Sequence, residues 1–146
     1  MIAQATFALA PVAAPAAVRQ PFTRGAAGGV RVVLKIEAAA ALVAAVWAYS
    51  RFDIGWPMFA LLFLVPDLAM LGYLAGKRIG AACYNLAHSY ATPAALAAIA
   101  LALHARAVLP LLLIWVAHIA FDRLLGYGLK YVTAFGDTHL GRTGKN

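Results

Sequence analysis

The sequence has little charge, few acidic side chains and almost no cysteine. Charged residues make up 12% of the 146 residues, and only five are Asp or Glu; an average soluble domain is about one quarter charged. Cys83 is the single cysteine, which excludes an intrachain disulfide and gives no basis for a cysteine metal site. The chain also lacks a glycine-rich phosphate loop, a GxSxG motif and a CxxC motif. These absences argue against an ordinary soluble globule, a disulfide scaffold and several common enzyme classes.

Apolar residues dominate instead, at 64% of the chain with a mean hydropathy of +0.82. They form segments of about 20 residues, the length of one membrane pass, over residues 30–50, 56–75, 81–103 and 107–127. Backbone groups in lipid must bond to one another, so we expect helices. The short connections make successive helices antiparallel neighbours. The sequence therefore predicts an all-α polytopic membrane protein, a four-helix antiparallel transmembrane bundle.

The predicted bundle occupies residues 30–131, with a different composition on either side. Residues 1–29 are rich in Ala and Pro. They lack the basic start of a signal peptide, and Pro11 and Pro15 break their apolar stretch, so we predict a disordered leader. Residues 132–146 are polar and are predicted to form a cytoplasmic tail.

The distribution of basic residues predicts the orientation in the membrane. Nine Lys and Arg residues fall on one side of the predicted bundle, while only Arg51 and Arg106 fall on the other. The nine are Arg19, Arg24, Arg31, Lys35, Lys77, Arg78, Lys130, Arg142 and Lys145. Because cytoplasmic loops carry the excess of positive charge, we expect both termini in the cytoplasm. This topology explains the net charge of +7, so the expected partner is the lipid bilayer and not nucleic acid.

Ionisable side chains within the predicted spans lie at one depth. Counting from the basic residues at the boundary, Glu37, Asp67, His88, His118 and Asp122 fall about 9–18 Å inside the cytoplasmic surface at the rise of a helix. Such residues are costly in lipid and are functional hypotheses by default. Because each predicted helix contributes to this layer, we expect these side chains to meet.

The residue types in this layer suit a metal ion. His118 and Asp122 are four residues apart, which places them on one helix face. Together with His88 and Asp67 they form a set of two imidazoles and two carboxylates, which would suit Zn, Fe or Mn.

Other polar residues have predicted supporting roles around this set. Tyr84 and Asn85 are candidates to orient the ligands, because Tyr84 lies one turn before His88. Glu37 is a candidate fifth ligand, and Glu37 or Asp67 a candidate general base. Arg123 is a candidate contact for an anionic head group.

The same residues allow other interpretations. A structural polar network would have Arg123 and the histidines neutralise the acids. An ion or proton pathway would need a dimer and polar groups in the other half of the membrane, where the spans are nearly all Ala, Leu, Val and Ile. An accessory subunit that binds a pigment or haem would use His88 or His118 as an axial ligand. His139 in the tail is either a solvated residue or part of a lid over the site.

Four longer motifs resemble a family of small bacterial integral membrane proteins catalogued as a domain of unknown function. They are PDLAMLGYLAG (66–76), YNLAHSYATP (84–93), WVAHIAFDRLLGYGLKY (115–131) and DTHLGRTG (137–144). The resemblance covers about residues 34–144 and implies a compact four-helix protein of the bacterial inner membrane, with no established activity.

From the polar layer we predict a metal-dependent hydrolase acting on a lipid or another membrane-embedded substrate. A homo-oligomer or a larger membrane complex is a further expectation.

Overall fold

The computed structural model describes residues 25–143, so residues 1–24 of the predicted leader and the last three residues lie outside it. The described chain is mostly helical. Its helices are α1 (Gly28–Tyr49), α2 (Trp56–Phe63), a 3-10 helix (Val65–Ala75), α3 (Lys77–Ala87), α4 (Ala91–Ala102), a 3-10 turn (Arg106–Val108) and α5 (Leu109–Leu125). Two short strands follow, β1 (Asp137–Thr138) and β2 (Gly141–Arg142).

Within residues 25–143, three helical stretches are long and apolar enough to cross a membrane. They are Gly28–Tyr49, Trp56–Ala75 and Arg106–Leu125, and they coincide with the first, second and fourth predicted segments. The second is not one regular α-helix, because α2 passes into the 3-10 helix at Val65. This result supports a membrane protein.

The third predicted segment, residues 81–103, differs from the expectation of one continuous helix. It is divided between α3, which begins already at Lys77, and α4, with a turn between Ala87 and Ala91. Proline at position 93 has no backbone N–H and disfavours helical continuation through the preceding turn. The Thr92 hydroxyl donates a hydrogen bond to the carbonyl of Leu86 across the break, at 2.6 Å.

The best-buried part of the fold lies where α1 packs along α5. Small side chains permit this close approach, since Ala117 and Ala120 of α5 are fully buried and Ala38 and Ala45 of α1 nearly so. Close packing of small residues is the usual means by which helices associate in lipid. Helix α5 has Pro110 in its first turn and ends at Gly126, which adopts the left-handed conformation, with a φ of 103°, that commonly caps a helix.

The polar tail is folded back onto the helices within the described residues. Strands β1 and β2 form an antiparallel hairpin, and the backbone N–H of Ala26 donates to the carbonyl of His139 at 2.7 Å. Leu140 is buried, with 1% of its surface exposed. The hairpin therefore joins the start of α1 to the segment that follows α5, which the expectation of a simple polar tail did not anticipate.

Candidate metal centre

Two histidines and two aspartates from separate parts of the fold meet in one cluster. Asp67 comes from the first turn of the 3-10 helix, His88 from the end of α3, and His118 and Asp122 from one face of α5. Each offers one ligand atom, and these four atoms all lie within 4.8 Å of one another. The sequence predicted these four residues as ligands, and the structure brings all of them together.

Distances within the cluster are short and similar. The Nε2 atoms of His88 and His118 are 3.1 Å apart. Asp67 Oδ1 is 3.4 Å from His88 Nε2 and 3.5 Å from His118 Nε2, and Asp122 Oδ2 is 3.5 Å from His88 Nε2. Four donor atoms around one tetrahedral ion, with bonds of about 2.0–2.1 Å, would be separated by about 3.3 Å. These four separations therefore fit a single small divalent cation, and the two remaining pairs lie within 4.8 Å.

The protonation of His88 also suits a ligand. Its Nδ1 lies 3.0 Å from the carbonyl oxygen of Tyr84, and a carbonyl only accepts, so Nδ1 carries the proton. In the neutral ring Nε2 then presents its lone pair to the cluster. This is the arrangement in which metal-binding histidines are held, with the second ring nitrogen bonded to a neighbouring acceptor.

His118 is held by packing. Only 1% of its surface is exposed, and its ring contacts Phe63 edge-on at 5.4 Å between centroids. Its Nδ1 is buried and has no hydrogen-bond partner among residues 25–143. The aromatic contact fixes the ring without engaging Nε2, which faces His88.

Tyr84 supports the cluster in a different way from the one predicted. We expected its phenol to orient His88, but it is the Tyr84 carbonyl that does so, and the Tyr84 ring stacks on His88 at 3.7 Å. The Tyr84 hydroxyl donates to Oδ2 of Asp122 at 3.1 Å. Tyr84 is thus in contact with ligands on both α3 and α5.

Asn85 lies farther from the cluster and bonds to the backbone. Its amide nitrogen donates to the carbonyl of Lys130 at 2.9 Å, and its Oδ1 accepts from the N–H of Lys130 at 2.6 Å. This pair of bonds attaches the segment after α5 to α3. Asn85 therefore positions Lys130 and is not in contact with a ligand.

Lys130 also lies at the site, although the sequence indicated it only as one of the basic residues at the membrane boundary. It is 6% exposed, and its Nζ donates to the carbonyl of Phe135 at 3.0 Å and lies 3.8 Å from the centroid of the Phe135 ring. Burial lowers its pKa below the ordinary value, while the charge of Asp122 opposes that shift. Its position two residues after the GYG sequence was the only available signal.

A cavity of about 280 Å³ lies beside the carboxylates of the cluster. Its lining consists of Asp67, Met70, Tyr84, Asp122, Tyr127, Lys130 and Phe135. Asp67 is 31% exposed and Asp122 15%, whereas His88 and His118 are 3% and 1% exposed. The histidine side of the cluster is therefore closed, and the carboxylate side faces open space.

Glu37 and Arg123 are not part of this cluster. Glu37 is exposed on α1 and lines a separate cavity of about 230 Å³, together with Arg123, Tyr90 and His139. The Arg123 guanidinium stacks 4.1 Å from the centre of the Tyr90 ring. The register of α5 explains the separation, because Asp122 and Arg123 are adjacent and point about 100° apart on a helix.

His139 is neither a solvated tail residue nor a lid over the His and Asp cluster. It is half-buried in the Glu37 cavity, and its Nδ1 accepts a hydrogen bond from the N–H of Leu129 at 2.7 Å. Burial, together with the nearby charge of Arg123, lowers the pKa of His139 below its ordinary value.

A comparison with known protein families matches most of the residues that the structure describes. A family model described as a domain of unknown function matches residues 31–143. The chain belongs to the DUF4260 family. This confirms the resemblance to an uncharacterised domain family and includes all four residues of the cluster. The DUF4260 match also covers the tail hairpin, while no curated protein and no solved structure matches the chain.

Proposed function

We propose that the chain is a membrane-embedded metal protein in which Asp67, His88, His118 and Asp122 hold one divalent cation. The observation that supports this most directly is the spacing of the donors, because four of the six pairs are 3.1–3.5 Å apart and all lie within 4.8 Å. Two imidazoles and two carboxylates would suit Zn, Fe or Mn.

We further propose four passes, with both termini in the cytoplasm of a bacterial cell. The broken pair α3 and α4 would make the third pass, since α3 packs on the 3-10 helix and α4 packs on α5. The strong excess of basic residues on one side supports this orientation. The cluster and its cavity would then be open to the cytoplasmic half of the inner membrane.

As an activity, we propose metal-dependent hydrolysis of a lipid or another membrane-embedded substrate. The exposure of the carboxylate side supports this, because a catalytic ion needs room for a water or substrate beside its protein ligands. With four protein donors, that water or substrate would bind on the exposed side as a fifth ligand. A divalent cation would supply Lewis acidity and lower the pKa of a bound water. Of the two candidates for general base, Glu37 and Asp67, we propose Asp67, because it is the most exposed member of the cluster whereas Glu37 lines a separate cavity.

Elemental analysis of detergent-purified protein, prepared without a chelator or a metal column, tests the metal site. The wild type is compared with His88→Ala, His118→Ala and a control, His104→Ala, since His104 is exposed outside the cluster. We expect near-stoichiometric Zn, Fe or Mn in the wild type and the control, and loss from the other two variants. A well-folded wild type that takes up no metal after reconstitution would refute the proposal and leave a structural polar network.

The hydrolase is tested separately with the metal-loaded protein. Vesicles of bacterial phospholipids are incubated with it, and the released products are identified by mass spectrometry. We expect release that a chelator abolishes and that Asp67→Asn reduces even when the rate is expressed per metal ion bound, since Asp67 is proposed both as a ligand and as the general base. Metal binding without any turnover would overturn the enzymatic proposal and leave the metal site standing.

A further inference from the structure

Three basic side chains surround a second polar cavity, on the side of the fold that we propose to be cytoplasmic. The cavity has a volume of about 310 Å³ and is lined by Arg31 and Lys35 of α1 and by Arg142 of β2, with Leu125, Gly126, Tyr127 and Thr143. Among residues 25–143 the lining contains no carboxylate, and it has only Tyr127 in common with the cavity beside the cluster. Binding in this cavity is therefore independent of the metal site.

Arg31 has few hydrogen-bond partners within the fold and is fixed in position beside this cavity. Its Nε is buried, yet it has no hydrogen-bond partner among the residues 25–143. A buried donor without an acceptor is costly, and more so when it is charged. The guanidinium is also held close to the backbone of Gly141 in the tail hairpin, so it is positioned by the fold.

The two other cations have little compensation. Lys35 lies above the end of α5, where its Nζ would be 3.7 Å from a Cβ at Gly126. Arg142 has one acidic neighbour, Asp137, at 3.8 Å, and the Arg142 side chain is 60% exposed. Exposed ion pairs of this kind contribute little. The three charges therefore remain available for an anion.

The position of the cavity indicates the class of anion. It lies between the first turns of α1 and the end of α5, and both stretches are long and apolar enough to span a membrane. The cavity is thus expected at the boundary between hydrocarbon and water. Basic pockets between spanning helices at the cytoplasmic surface bind the head groups of anionic lipids.

We propose that Arg31, Lys35 and Arg142 form a binding site for the phosphate of an anionic phospholipid. The guanidinium groups would bond to phosphate oxygens, for which their planar geometry is suited, and Lys35 would add a point charge. Because Arg142 belongs to the tail hairpin, a bound lipid would also fasten the hairpin to α1.

The test uses full-length protein in nanodiscs of mixed phosphatidylcholine and phosphatidylglycerol. Native mass spectrometry of the released protein measures the phosphatidylglycerol it retains. The double variant Arg31→Gln/Lys35→Gln should retain it roughly tenfold to thirtyfold less tightly, because two charged contacts to the bound phosphate are lost at about 1 kcal/mol each. The control Lys77→Gln/Arg78→Gln removes the same charge from two exposed residues that do not line the cavity, and it should bind like the wild type.

A second arm distinguishes the lipid from free phosphate. Inorganic phosphate is titrated by calorimetry into wild-type protein in phosphatidylcholine nanodiscs. Saturable binding there, lost in the double variant, would retain the phosphate site but assign it to a soluble anion. Equal loss of phosphatidylglycerol in the control, or no loss in a double variant with an unchanged unfolding temperature, would overturn the proposal.

Should the double variant fail to fold, Arg31→Lys/Lys35→Arg replaces it. This variant keeps both charges and changes only the geometry of the donors. Weaker retention of phosphatidylglycerol by this variant would support specific contacts to phosphate, and unchanged retention would contradict them.

Discussion

Replacing Tyr84 with phenylalanine isolates the contribution of one hydrogen bond to the proposed metal centre. The substitution removes the hydroxyl that donates to Asp122 at 3.1 Å, while it keeps the ring that stacks on His88. The Tyr84 carbonyl, which holds Nδ1 of His88, is also unchanged. A hydrogen bond to a charged group contributes about 1.5–3 kcal/mol, and about 1.4 kcal/mol corresponds to tenfold in affinity. We therefore expect the metal to bind about tenfold to a hundredfold more weakly in Tyr84→Phe, as is usual for partners that orient a ligand.

The affinity is measured by competition with a chromophoric zinc chelator. The pH is held constant, because the ligands must lose protons to bind metal. The control is Tyr90→Phe, which removes the hydroxyl of a tyrosine that stacks on Arg123 outside the cluster. An affinity equal to that of the wild type in Tyr84→Phe, while His88→Ala binds no metal, would refute the orienting role of this hydroxyl.

Three further changes test the packing, the helix end and the tail. Ala120→Leu inserts volume at a fully buried position of α5 and should lower the free energy of unfolding by about 1–3 kcal/mol. Ala40→Leu, on the exposed side of α1, should leave it unchanged. Equal shifts of the unfolding temperature in the two variants would contradict the packing of α5 on α1. Gly126→Ala places a side chain at a φ of 103° and should cost about 1–2 kcal/mol, so an unchanged unfolding temperature would refute the role of this cap. Burial and Arg123 lower the pKa of His139, so the unfolded chain binds the proton more tightly. The free energy of unfolding should therefore fall as the pH drops below about 6.5, and His139→Gln should flatten that dependence; an equally steep loss in the variant would assign it to other groups.

The sequence was most informative where depth in the membrane restricts position. We could place four residues in one layer, because basic residues mark the cytoplasmic ends of the spans and a helix rises by a constant distance per residue. They are Asp67, His88, His118 and Asp122. An isolated charged side chain in lipid is costly, so polar residues at the same depth are expected to contact one another. The cluster was accordingly predicted without any tertiary information.

Depth does not determine the direction in which a side chain points. Glu37 lies at the same predicted depth but on an exposed face of α1, and Arg123 follows Asp122 yet faces another cavity. Rotation about a helix axis depends on packing, and the Ala-rich, weakly amphipathic sequence of α1 gives little information about it. The same limit applies to Asn85, whose partner is a backbone 45 residues away.

Local interruptions of the helices were also difficult to predict. Pro93 and the polar residues around His88 were visible in the sequence, but proline within a membrane helix is compatible with a kink as well as a break. The tail hairpin was missed because its strands are only two residues long. The hairpin is held by a hydrogen bond to Ala26, just before α1, and a contact so distant along the chain leaves no local sequence pattern.

The two hydrogen bonds between Asn85 and the backbone of Lys130 have a consequence for biogenesis. At about 5–20 residues per second of synthesis, Lys130 leaves the ribosome a few seconds after Asn85, from which it is separated by 45 positions. Asp122, the last member of the donor set, also emerges late. The first helices are therefore made before the set of four donors is complete, and an ion bound by that set would be acquired by a chain whose first helices already exist. A nascent chain arrested before residue 130 would have all four donors but not the two hydrogen bonds that attach the segment after α5 to α3.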